Sequence, residues 1–134
     1  MNKDDCVFCK IASGKIETSF ISEDDNFFAI KDKIPRMPGH SLVIPKKHFE
    51  TILEMPSELG QELLEFIKKV ASQLIKEEEA EGFNIVMNNG SEAGQVVMHL
   101  HIHIIPRFFG DVEDYVGGVR HIIPGMGNYK KGFL

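Results

Sequence analysis

The chain has 134 residues, 43% of them hydrophobic and 26% charged, which suits one domain with a sizeable core and no need for disulfides. Fifteen Lys and Arg against twenty Asp and Glu give a formal net charge of -5; this argues against a surface that tracks long nucleic acids and leaves room for a small anionic ligand held by backbone N–H groups. The acidic start Met1-Asn2-Lys3-Asp4-Asp5 is unlike a signal peptide, and no apolar run approaches the roughly 18 residues of a membrane span, so a cytoplasmic protein without a membrane partner is expected.

No repeat, low-complexity tract or linker interrupts the chain, and residues 1–134 are read as one domain. Residues 6–13 read as a short helix stopped by Gly14. Strands are expected over 19–22, 27–30 and 41–44, separated by Glu23-Asp24-Asp25-Asn26 and by the proline-marked loop 35–39. Ser57, after Pro56, is the expected N-cap of the main helix. Leu59, Leu63, Phe66, Ile67, Val70, Ala71 and Leu74 recur there at helical spacing as far as about Glu79. That stripe reads as core, and Glu77, Glu78 and Glu79 as a solvated end despite the unfavourable helix dipole.

Residues 83–87 read as a further strand and 88–95 as a loop containing Gly90 and Gly94, followed by a histidine-bearing strand. Two such consecutive strands suggest an antiparallel pair that brings Asn88 and Gly94-Gln95 close to the histidines. After Arg107 the tail is Gly-rich and irregular, with a flap, a dimer arm and disorder all left open.

The run Met98-His99-Leu100-His101-Ile102-His103-Ile104-Ile105-Pro106-Arg107 holds three of the six histidines at alternate positions. On a strand, alternation places all three imidazoles on one face, the side chain best suited to nucleophilic and acid/base work near neutrality. A merely solvated face is the bland alternative. Metal binding by all three fits poorly: with a rise of about 3.3 Å per residue the outer Cα atoms lie about 13 Å apart, and one ion holds two of them more easily. Cys6 and Cys9 are the only cysteines, and Cys-x-x-Cys reads as a redox pair, half a zinc site or two small core residues. The βαβ setting of a redox motif is missing, and zinc needs two further ligands, which histidines can supply.

Five ordered segments carry a resemblance. They are Cys6-Val7-Phe8-Cys9-Lys10-Ile11, Pro38-Gly39-His40-Ser41-Leu42-Val43-Ile44-Pro45-Lys46-Lys47-His48, Asn88-Asn89-Gly90, Ala93-Gly94-Gln95 and the histidine run. Over about residues 4–108 the chain resembles the histidine triad (HIT) superfamily, in its nucleotide-binding and diadenosine polyphosphate hydrolase-like branch. The resemblance implies an α+β fold, an antiparallel meander with one long and one or more short helices, usually as a homodimer whose strands join into one sheet. It implies hydrolysis of adenosine or guanosine nucleotides at the α-phosphate, with phosphoramidates and dinucleoside polyphosphates as the two substrate branches.

Carried onto this chain, the resemblance makes His101 the nucleophile that forms a nucleotidyl-histidine, and His103 a phosphate contact. Gly94, the Gln95 amide and the Val96 backbone would stabilise charge on the phosphate, Asp32 would hold the ribose hydroxyls, Asn88 would line the phosphate side, and His40 would support the triad. It also implies a structural zinc on Cys6, Cys9, His48 and His99, which gives His99, counted with His101, His103 and Gln95 in the catalytic set, a tethering part; no cofactor is implied for catalysis. Val96 departs from the Ser or Thr of many family hydrolases, so a hydroxyl contact is missing, and the absent Trp removes the C-terminal aromatic of one phosphoramidase branch. Arg107 and Arg120 are candidate polyphosphate contacts. The competing readings are a catalytically weak nucleotide-binding module acting through protein partners, and a zinc protein whose histidines serve metal alone.

Overall fold

The first helix, α1 (Val7–Ala12), starts at Cys6, whose Sγ accepts the Cys9 N–H at 3.4 Å, and is followed by Gly14 in a left-handed conformation at φ 82°. In this computed structural model, which describes residues 3–123 and 127–128, the chain continues through β1 (Ser22–Glu23), β2 (Phe27–Lys31) and β3 (Ser41–Pro45). The long helix α2 (Gly60–Glu78), β4 (Gly82–Met87) and β5 (Ile102–Arg107) follow. Every strand pair is antiparallel, and the sheet order is β1-β2-β3-β5-β4.

Alternation sorts the strand residues onto two layers. Phe27, Ala29, Val43, Ile102 and Ile104 pack under the apolar stripe of α2, formed by Leu63, Phe66, Val70, Ala71 and Leu74. Phe28, Ile30, Leu42 and Ile44 point the other way, towards Cys6, Phe8 and Ile11. The central strands β2 and β3 are therefore buried on both faces, which explains their continuous apolar runs. In β5 the α2 face is apolar, while the opposite face carries His103, Ile105 and Arg107. Among the described residues, no helix is long and apolar enough to cross a membrane.

Three expected boundaries shift. The strand expected over 19–22 is reduced to the Ser22–Glu23 pairing; Ile21 still donates to Ala29 O at 2.7 Å, and Phe20 stacks on Phe28 with centroids 5.1 Å apart. Ser57 does not cap α2 through its side chain: residues Ser57–Leu59 form a 3₁₀ turn in which Leu59 N–H bonds Pro56 O, and this turn leads directly into the helix. The ladder of β5 begins at Ile102, later than the histidine run, because Leu100 N–H is taken by Phe49 O at 2.6 Å, outside the sheet. Glu79 closes α2 in a left-handed conformation at φ 55°.

Gly39 sets the entry into β3. Its φ is 83°, and a Cβ there would stand 2.6 Å from Glu78 Cγ and 3.2 Å from Pro106 Cγ. Gly39→Ala is expected to destabilise the protein by about 1–3 kcal/mol through combined backbone strain and crowding. A urea unfolding midpoint checks this; an unchanged midpoint would show that the loop adjusts without strain.

The tail is tied to the sheet through Arg107. Its Nε and Nη2 donate to Asp111 Oδ2 and Oδ1 at 2.8 and 2.9 Å, and its Nη1 to Asn84 Oδ1 at 2.7 Å. The guanidinium hydrogen bonds hold the Asp111 carboxyl down at about 2. This fork-to-fork arrangement occupies Arg107, so the expectation of a polyphosphate contact there is corrected. Arg120 lies in the 3₁₀ turn Gly118–Ile122 and does not line the cleft described below. The Pro124-Gly125 part of the tail lies outside the described residues.

Candidate active site and metal-ligand cluster

On the face opposite α2, the register aligns one rung across the sheet: Ile30 pairs Leu42, Leu42 pairs His103, and His103 pairs Val86. All four side chains line a cleft of about 560 Å³, a volume suited to a small organic ligand. Val7, Phe8 and Ile11 of α1 form the facing apolar wall. Asp32, His40, Asn88, Val96, His101 and His103 supply the polar groups and the rim, with Lys31, Lys33 and Arg36 alongside. Of the expected substrate-binding residues, Asp32, Asn88, Val96, His101 and His103 thus meet in one place.

Hydrogen bonds to groups with only one possible role fix the ring protons. A carbonyl only accepts, so His101 Nδ1–H donates to His99 O at 2.8 Å, and in the neutral ring the lone pair is on Nε2. Arg36 N–H donates to His40 Nδ1 at 3.0 Å, so His40 carries its proton on Nε2 and donates it to His103 Nδ1 at 2.9 Å. His103 then carries its own proton on Nε2. The rings of His101 and His103 lie 5.1 Å apart, centroid to centroid. Burial lowers the pKa of His103 to about 4, helped by the nearby His101 and His40 and opposed by Asp32. Burial also lowers that of His40, with Asp32 opposing and Arg36 assisting. Both rings are thus neutral near pH 7. Asp32 Oδ1 accepts Ile34 N–H at 2.9 Å, while Oδ2 stands 3.5 Å from His40 Nε2.

The glycine loop behaves differently from expectation at Gln95. This residue is 3% exposed and does not line the cleft. Its Nε2 donates to Glu50 O at 2.6 Å and to Val97 O at 3.1 Å, and its Oε1 accepts Gly90 N–H at 2.8 Å. Here the amide forms a brace that holds residues 90–97 against residue 50. Gly94, at φ 98°, packs near Asn88: a Cβ there would lie 3.8 Å from its Nδ2. Val96 projects at the rim, 84% exposed. Gln95→Ala is expected to lower stability by about 1–3 kcal/mol through the unsatisfied Glu50 and Val97 carbonyls and Gly90 N–H. Thermal unfolding checks this; an unchanged midpoint would show that water replaces the amide fully.

His99 has partners of its own. It is 0% exposed, and its Nε2–H donates to Pro45 O at 2.8 Å, so the lone pair on Nδ1 is bare. That nitrogen stands 3.2 Å from Cys6 Sγ, 3.5 Å from Cys9 Sγ and 3.2 Å from His48 Nδ1, while Cys9 Sγ stands 3.3 Å from His48 Nδ1. All four donor atoms lie within 4.8 Å of one another. Ligands at about 2.1 Å for nitrogen and 2.3 Å for sulfur around one tetrahedral ion stand about 3.4–3.8 Å apart, close to these spacings. Two soft thiols, two imidazoles and a second-nitrogen hydrogen bond that fixes the tautomer make a donor set that fits zinc. Burial lowers the His99 pKa to about 4, which keeps the ring neutral as a ligand must be. The redox-pair and small-core readings of Cys6 and Cys9 gain nothing comparable.

The apolar wall of Phe8, Ile11, Ile30 and Leu42 was not singled out by the sequence. The signal was available in the strand parity that sets Ile30 and Leu42 on the His103 face. Sequence reasoning also missed the part of Arg36, which acts through a backbone N–H that no side-chain identity advertises.

The comparisons agree with this architecture. The HIT domain model matches residues 13–110, and the chain belongs to the HIT family. An uncharacterized HIT-like protein of Methanocaldococcus jannaschii is 48% identical over 110 residues, covering 81% of this chain and 83% of that protein. Adenylylsulfatase HINT3 of Arabidopsis thaliana is 41% identical over 105 residues, covering 78% of this chain and 53% of that longer protein. The crystal structure of a Zn-bound histidine triad family protein from Mycobacterium smegmatis superposes with a TM-score of 0.77 at 36% identity, covering 85% of this chain and 83% of the other.

Proposed function

We propose that the chain hydrolyses purine nucleotides at the α-phosphate through a nucleotidyl intermediate on His101. The observation that carries this reading is the 2.8 Å bond from His101 Nδ1–H to His99 O, which makes Nε2 the lone-pair nitrogen of the neutral ring in a cleft of nucleotide size. In the first step the Nε2 lone pair forms a bond to phosphorus, and the bond from phosphorus to the leaving group breaks with its electron pair on the leaving group. The Nδ1–H to carbonyl bond supports the positive ring that results. His103 Nε2–H, held in that tautomer by the His40 to His103 bond, donates to a phosphate oxygen or to the departing atom. In the second step water attacks phosphorus and releases one proton to solvent, the P–N bond breaks with its electron pair on His101 Nε2, and the nucleoside monophosphate leaves.

Ile30, Leu42 and Phe8 would take the base, and Asp32 Oδ2 the ribose hydroxyls. Asn88 and the backbone beside Gly94 and Val96 would border the phosphate. Gln95 would act by holding that loop in place. Cys6, Cys9, His48 and His99 would hold a structural zinc that cross-links the start of α1, the segment after β3 and the approach to β5. The chain would dimerise through β4, an outer strand with Phe83 and Ile85 exposed at 42% and 49%, a pairing that sedimentation would detect.

The test is AMP release from adenosine phosphoramidate and from diadenosine tetraphosphate in parallel, with His101→Ala as control. Release that vanishes in the variant is the expected result, and the ratio of the two rates assigns the branch. Absence of release from both, with AMP still bound, would replace hydrolysis by the binding-module reading.

A further inference from the structure

A second set of metal-type donors lies inside the cleft, separate from the cysteine cluster. Asp32 Oδ2, His40 Nε2 and His103 Nδ1 are separated by 2.9 Å (His40 to His103), 3.5 Å (Asp32 to His40) and 3.9 Å (Asp32 to His103). Three ligands about 2.1 Å from one tetrahedral ion stand about 3.4 Å from each other, and the observed spacings bracket that edge. Two imidazoles and one carboxylate, with a fourth position facing the cleft, suit zinc or a similar first-row cation; magnesium prefers oxygen ligands and retained water.

We infer that Asp32, His40 and His103 form a second, weaker divalent-cation site that competes with nucleotide in the cleft. His40 is 3% exposed, and Asp32 is aimed by the Ile34 N–H on its other oxygen, so the donors are held in place without the ion. The proton that His40 Nε2 donates to His103 Nδ1 occupies the position a cation would take, and when the cation enters it leaves to solvent or moves to His40 Nδ1. Arg36 N–H still points at His40 Nδ1, so His40 must ligate as an imidazolate or give up that hydrogen bond. No such cost applies at His99, whose Nδ1 is already bare, and the cysteine cluster therefore fills first. A cation at the second site takes the Asp32 oxygen and removes the hydrogen bond that sets the His103 tautomer. The competition, though not the site itself, rests on the nucleotide reading given above.

The test is a Zn²⁺ titration of the full chain by calorimetry, with metal content measured alongside. Two equivalents are expected, the second absent from the Asp32→Asn, His40→Gln double variant, whose retained first equivalent shows that it is folded; Mg²⁺ should give neither. AMP at about 100 times its own dissociation constant should weaken the second equivalent by about 100-fold through mass action. A single equivalent in the unaltered chain, or a second that survives in the double variant, would overturn the site. A second equivalent lost in the double variant but indifferent to AMP would support the site and count against the nucleotide's contact with Asp32.

Discussion

His101→Ala is expected to lower AMP release by at least about 10³-fold while AMP binding and metal content stay close to those of the unaltered protein. The asymmetry follows from the position of the ring. Its imidazole would supply the reacting nitrogen, yet it also bonds the His99 carbonyl, which water in the opened space can satisfy. The apolar wall of Phe8, Ile30 and Leu42 and the Asp32 oxygen are left in place. A loss confined to KM, with kcat retained, would show that His101 binds and does not react. Equal loss of binding and turnover would show that the cleft collapses around the missing ring.

Cys9→Ser is expected to remove the metal and to lower the melting temperature by roughly 10 °C or more, since the binding energy of a structural ion is folding energy. Cys9 Sγ faces both imidazole donors, at 3.3 Å from His48 and 3.5 Å from His99. A serine hydroxyl does not replace a thiolate there. Without the ion, the buried Cys6 and His99 donors face one another with no cation between them, and the cross-link from α1 to the approach of β5 is lost. Catalysis should fall as well, because the His99 carbonyl that orients His101 belongs to a residue tethered by this cluster. Metal content and calorimetric melting on the same sample check the prediction. Full loss of metal at an unchanged melting temperature would make the cluster incidental to folding.

Much of the architecture was legible because each segment carried one dominant signal. The stripe from Leu63 to Leu74 specified α2, the alternation after Leu100 specified β5, and the Asn88 to Gln95 loop between two strand signals specified their antiparallel pairing. Features without a local signal depend on partners distant in sequence. Alternation placed His99 on one face with His101 and His103 and the resemblance tied it to Cys6, Cys9 and His48, whereas the bond to Pro45 O, 54 positions away, carries no local signal. Gln95 likewise looked free until Glu50 O and Gly90 N–H claimed its amide. Arg107 looked like an open cation, and only the folded tail brings Asp111 and Asn84 onto it. Ser57 followed the usual capping preference, yet a 3₁₀ turn entered α2 without it.

The central claim is the covalent step on His101. Its most direct test is rapid quench of the protein with diadenosine tetraphosphate or adenosine phosphoramidate at neutral pH, followed by intact-mass measurement and peptide mapping. The account predicts a transient gain of one adenylyl group on the peptide carrying residues 99–103, acid-labile as a phosphorus–nitrogen bond is, and absent from His101→Ala. AMP produced at full rate with no adduct at any quench time, or an adduct that persists in His101→Ala, would contradict it.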